Sequence, residues 1–97
     1  MNRYEVLFEC RIVVDPRDAV HDVGLQVGEA LGGDRIEDPF VRTDTGSGQF
    51  RVEFTVVAAN EAEAFDTGVA AVSEALRSVV GLEVRAPSAR ASQLVPA

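Results

Sequence analysis

Gln49 to Ala58 alternates without a break, with Phe50, Val52, Phe54, Val56 and Ala58 on one side and Gln49, Arg51, Glu53, Thr55 and Val57 on the other. A period of two sends successive side chains to opposite faces, so this stretch predicts a half-buried strand. Asn60-Glu61-Ala62-Glu63 follows as a capping box, because the Asn side chain can accept from an unpaired amide of the first turn while Glu63 reaches back. The helix it opens carries Phe65, Val69, Val72, Leu76 and Val79 as an apolar stripe, with Asp66, Thr67, Ser73, Glu74, Arg77 and Ser78 on the wet side. Gly81 is the expected stop. Leu82, Val84 and Ala86 then alternate with Glu83 and Arg85, a second strand that Pro87 is expected to end.

The same grammar runs through the first half. Tyr4 to Val14 places Tyr4, Val6, Phe8, Cys10, Ile12 and Val14 on one face, and Glu5, Leu7, Glu9, Arg11 and Val13 on the other. Asp15-Pro16 predicts a helix start, since Asp caps the first turn and Pro loses only an amide without a partner. That helix is expected to reach about Leu31, with Val20, Val23, Val27, Ala30 and Leu31 inward, and Gly32-Gly33 ending it. Arg35 to Thr43 reads as an edge strand because it contains Pro39 and the Glu37-Asp38 pair. Asp44-Thr45-Gly46-Ser47-Gly48 turns the chain as a hairpin loop. Gly24 and Gly28 in the first helix, and Ala64, Gly68, Ala71 and Ala75 in the second, form shallow strips that suggest two helices lying close beside one another. Residues 1–86 thus make one α+β domain, and 87–97, which lack periodicity, a mobile C-terminal tail in which Leu94 and Val95 dock locally.

The order β-α-β-β-α-β over residues 3–86 resembles the ferredoxin-like, or split βαβ, superfold. The resemblance implies a four-stranded antiparallel sheet with two helices on one face, the first and third strands central and the others at the edges. It does not imply an activity, because this architecture hosts many.

Composition and charge remove several of those uses. The chain has 97 residues, a formal charge of −7, nine basic residues that are all Arg, and one cysteine, Cys10. The acidic balance disfavours a phosphate backbone as partner. RNA-binding versions of the fold stack bases on aromatics of the central strands, and the outward positions there hold none. A lone cysteine excludes an internal disulfide and Cys-only metal or iron–sulfur ligation within one chain. No apolar run reaches the ~18 to 20 residues of a membrane span, and no signal peptide is visible, so the expected location is cytoplasmic. The Arg-only, Ala- and Val-rich composition points to a GC-rich bacterial or phage genome.

Candidate chemistry is sparse. Asp15, Asp18, His21 and Asp22 crowd one helix start and could hold a divalent cation, but they read first as cap, dipole and solubility charges. Glu37, Asp38 and Asp44 would serve as an acid–base pair only if burial raised one pKa. Cys10 points with the core and reads as an inert thiol. Arg17 is a faint echo of the anion-binding arginine of acylphosphatase-like versions, among acids that would repel an anion. Small dimeric barrel oxygenases share the element order and place polar residues between helices and sheet, where this chain offers only His21 and Tyr4.

What the pattern leaves over is the outward sheet face: Leu7, Glu9, Arg11, Val13, Arg51, Glu53, Thr55 and Val57, whose charges could pair across strands, Arg11 with Glu53 for example. The leading expectation is therefore a noncatalytic module without cofactor or metal that pairs through this face with a second copy or a small protein partner. The alternative is a small-molecule-binding or regulatory domain with a pocket at the sheet–helix or dimer interface. A small dimeric-barrel-type enzyme stands third.

Overall fold

The computed structural model describes residues 1–16, 19–31, 36–79 and 82–94. Six elements follow in the order β1 (Asn2–Val13), α1 (Ala19–Ala30), β2 (Ile36–Asp44), β3 (Gln49–Ala58), α2 (Glu61–Arg77) and β4 (Glu83–Gln93). The strands form one antiparallel sheet in the order β2-β3-β1-β4, with both helices on one face. This is the ferredoxin-like fold. The two cleanly alternating strands are central because each can bury one whole row of side chains. Their registers, Val6 opposite Phe54 and Phe8 opposite Val52, bring the two apolar rows together.

The core lies between sheet and helices. Tyr4, Val6, Phe8, Cys10 and Ile12 of β1 and Phe50, Val52, Phe54, Val56 and Ala58 of β3 are buried there. From above, Val20, Val23 and Val27 descend from α1 and Leu31 from the residue just past it, and Ala64, Val72, Ala75 and Leu76 from α2.

Several sequence expectations shift. The described part of α1 begins at Ala19, not at Pro16, and Ala30, expected inward, is exposed. On α2 the buried line is Ala64, Gly68, Val72 and Ala75, whereas Phe65 is 37% exposed. The small-residue strip is thus the contact surface itself, and it meets the sheet more closely than the other helix. A Cβ on Gly68 would stand 2.8 Å from Val6 Cγ1 and 3.1 Å from the Phe54 ring, and one on Gly24 would stand 2.7 Å from Thr43 Cγ2. The expected glycine stops at 32–33 and 81 lie outside the described residues, as do Arg17, Asp18 and Val95. The capping box on α2 is formed, Asn60 Oδ1 accepting from Glu63 N–H at 2.8 Å, with the Glu63 carboxylate accepting from Ala59 N–H at 3.3 Å.

The largest departure is at the C-terminal end. Pro87 does not end the last strand: β4 pairs with β1 from Glu83 to Gln93, and Leu94 N–H donates to Arg3 O beyond it. Residues 87–93, expected as a mobile tail, are part of the sheet. The chain accommodates Pro87 by a bulge in which Ala86 and Pro87 together face Cys10, with Ala86 at φ 51. The other edge uses the same device. Asp38 and Pro39 face Phe54, and Asp38 has φ 52. In both places two residues oppose one, so the missing proline amide falls where the ladder is already interrupted. Bulges at both edges also discourage further strands from adding there.

Candidate functional site

Two surfaces have functional geometry, the uncovered sheet face and a cleft beside α2. The eight outward residues singled out by alternation all lie on the first. Their registers are Leu7 opposite Glu53, Glu9 opposite Arg51, Arg11 opposite Gln49, with Thr55 opposite Glu5, Val57 opposite Arg3, and Val13 opposite Glu83. The sheet adds residues that sequence reasoning missed: Phe40 and Arg42 from β2, and Arg85 and Arg90 from β4. Phe40 is 54% exposed, with the Arg42 guanidinium 5.7 Å from its ring centre. It stands on an edge strand, away from the central positions on which RNA-binding versions stack bases. Leu7, flanked by Glu53 and Arg90, is only 8% exposed although nothing covers its face.

The charges of this face are balanced. Arg3, Arg11, Arg42, Arg51, Arg85 and Arg90 share it with Glu5, Glu9, Glu37, Asp44, Glu53 and Glu83. The expected Arg11–Glu53 pair does not form, because register sets Arg11 against Gln49. Arg51 takes the acids instead, its Nε 3.0 Å from Glu53 Oε1 and 3.6 Å from Glu9 Oε1. That nitrogen is shut off from solvent yet aligns a hydrogen bond to neither carboxylate. Arg85 pairs with Glu83 at 3.1 Å, and Arg3 with Glu37 at 3.5 Å. Two arginine pairs, Arg11 with Arg85 and Arg42 with Arg51, stand directly opposite one another, an arrangement that weakens a sheet unless other charges intervene. The helix layer is unlike this face. Asp22, Glu29, Glu61, Glu63, Asp66 and Glu74 occupy the helices, with Arg77 the one arginine within them.

The second surface is a cleft of about 480 Å³ where the end of α2 leaves β4 uncovered. Phe8 and Val84 face it from the sheet, Pro87 from the bulge, and Val69 and Leu76 from the helix. Val79 and Leu82 complete the apolar lining. Its polar groups are Ser73 and Arg77, one helical turn apart. Val84 is on the core side of β4 but stays 38% exposed at the cleft. No sequence signal marks this cleft, since its walls come from β1, α2 and β4. A further hollow, on the sheet face beside the β4 bulge, is of mixed character, with Glu9, Arg11, Gln49, Arg85 and Ser88 in its lining beside Cys10 and Ala86.

The remaining candidates are placed apart from both. Asp15, His21 and Asp22 are exposed, Asp18 lies outside the described residues, and among the described residues no three His, Cys, Asp or Glu side chains are grouped to hold a metal. Glu37 is engaged by Arg3, Asp38 is exposed in the β2 bulge, and Asp44 accepts from Gly46 N–H at 2.9 Å within the hairpin turn. Tyr4 is buried in the core. Cys10 is buried, and burial pushes its thiol pKa up to about 11, which keeps it protonated and unreactive near neutrality. No described helix is long and apolar enough to cross a membrane.

The fold has a solved counterpart. A structure from Chloroflexus aurantiacus J-10-fl, provisionally described as an antibiotic biosynthesis monooxygenase, aligns over 98% of this chain and 95% of its own, with a TM-score of 0.54 and 13% identity. At that identity the likeness concerns the fold alone. No family model and no curated protein matches the chain.

Proposed function

We propose that the chain is a small-molecule-binding domain that works as a pair of copies. The observation that carries the binding half is the cleft between α2 and β4. At about 480 Å³ it falls within the roughly 300–1,000 Å³ typical of small-molecule sites, and it combines apolar walls with two convergent polar groups. It corresponds to the sheet–helix pocket expected as the alternative from sequence. Thermal stabilisation of the full chain by members of a metabolite library tests it, and a library without any stabilising compound would count against it.

The pairing half rests on the sheet face. Opposite charges that balance within one patch can satisfy each other across a two-fold axis, whereas the acidic helix layers would repel and stay in solvent. Four strands about 4.8 Å apart and roughly 33 Å long give a face of about 600 Å² in projection. With side-chain relief this approaches the ~800 Å² per partner of a stable interface. Leu7, Val57, Val13 and Phe40 would supply its apolar contacts. Val57→Asp is then expected to shift the native mass from two copies to one; an unchanged mass would remove this interface from consideration.

A second reading, an oxygenase acting on a molecule held in the same cleft, is favoured by the description of the Chloroflexus protein. Its test is oxygen consumption when a stabilising compound is added. Ser73 and Arg77 are poor general bases at neutral pH, so the cleft's own chemistry supports holding a molecule more directly than transforming it.

A further inference from the structure

We infer that the α2–β4 cleft takes an amphipathic anion, a carboxylate on an alkyl or aryl body, with Arg77 receiving the carboxylate. The inference rests on the reading of the cleft as a binding site and adds the ligand's charge and shape. Phe8, Val69, Leu76, Val84 and Pro87 offer apolar surface and no donor, so the body of the ligand must be apolar. Arg77 stands at the rim of that surface. Six of the seven arginines among the described residues share the sheet face with six carboxylates, and Arg77 alone is in the helix layer. There it makes no ion pair among the described residues. Its one hydrogen bond, from Nε to Ser73 O at 3.4 Å, is long and weak. Position in the last turn of α2 lets the cation face the helix carbonyls, but that contact uses Nε and leaves the two terminal nitrogens free. Those nitrogens form the fork that grips a carboxylate with two parallel hydrogen bonds. Glu74 and Asp66 lie on the same helix, so among the described residues of the two helices Arg77 is the arginine available to an anion, whereas a cationic ligand would meet Arg77 at the cleft's own mouth.

The test uses the full-length chain and two probes of equal chain length, decanoate and 1-decanol, titrated calorimetrically below their aggregation limits. Wild type is expected to bind decanoate more tightly than decanol. Arg77→Gln should weaken decanoate about tenfold or more and change decanol less than twofold. Gln26→Glu on α1 makes the same change in net charge away from the cleft and should leave both affinities as they were. Val69→Trp, which fills the cleft, should abolish both. Decanoate binding unaffected by Arg77→Gln, or weakened equally by Gln26→Glu, would overturn the anion assignment while leaving the cleft as a binding site. So would decanol binding without decanoate. Binding of neither probe, or binding untouched by Val69→Trp, would overturn the cleft reading and the anion assignment together.

Discussion

Gly48 closes the β2–β3 hairpin against the end of β1, and replacing it with alanine should unfold much of what the sheet gains there. Its φ of +77 is a conformation that an L side chain adopts at a cost of about 1–2 kcal/mol. A Cβ would also stand 2.6 Å from the backbone oxygen of Ile12. Backbone cannot rotate away as a side chain can, so the turn must shift, and the Ile12 N–H to Gly48 O hydrogen bond of 2.8 Å shifts with it. Losing that bond adds about 1 kcal/mol. The sum is about 2–3 kcal/mol, a large part of the stability of a domain this size. Urea unfolding should register it as a midpoint lowered by about 1–3 M at unchanged slope. Gly46→Ala is the control, since a Cβ there would meet only Asp44 Oδ1 at 3.2 Å and should cost well under 1 kcal/mol. If Gly48→Ala lies within about 0.5 kcal/mol of wild type, or costs no more than Gly46→Ala, the close approach of turn to β1 is wrong.

Ala86, at φ 51 without a compensating side chain, should respond in the opposite direction: Ala86→Gly is expected to stabilise by about 0.5–1 kcal/mol, read from the same urea curves. A loss of stability would mean that the bulge opposite Cys10 does not hold that backbone. Cys10 predicts a pH dependence. Its thiol pKa is raised by burial from 9.0 to about 11, so between those values the unfolded chain releases a proton that the folded chain keeps, and stability falls as pH rises. The contribution is fully present below about pH 9 and is lost by about pH 11, amounting to roughly 2–3 kcal/mol. Cys10→Ala should remove that slope, whatever it costs in packing, and a slope that persists would assign the effect to other groups.

Sequence alone determined the element order, the two central strands and the identity of the core rows, because a strict period of two over ten residues admits one inward face. It also determined which β1 and β3 side chains share the open sheet face, and the Asn60 cap, which depends on neighbours three residues apart. Tertiary structure decided the rest. Ala89 and Ala91 line the inner side of β4 with too little apolar surface to announce a strand, and Pro87 reads as a terminator until Cys10 stands opposite the bulge that absorbs it. Gly24 and Gly68 declare close packing by their spacing, but whether they meet a helix or a sheet depends on which atoms lie across from them. The ion pairs on the open face depend on register: the same residues that suggested Arg11 with Glu53 resolve into Arg51 between Glu9 and Glu53 once β1 and β3 are aligned. The cleft depends on all of these together, since Phe8, Val69, Arg77 and Val84 become neighbours only when β4 is in place and α2 ends short of covering it. Local periodicity is a property of consecutive residues and can be read from them. A pocket or a charge pair belongs to residues far apart in the chain, and it exists only after the sheet has chosen its register.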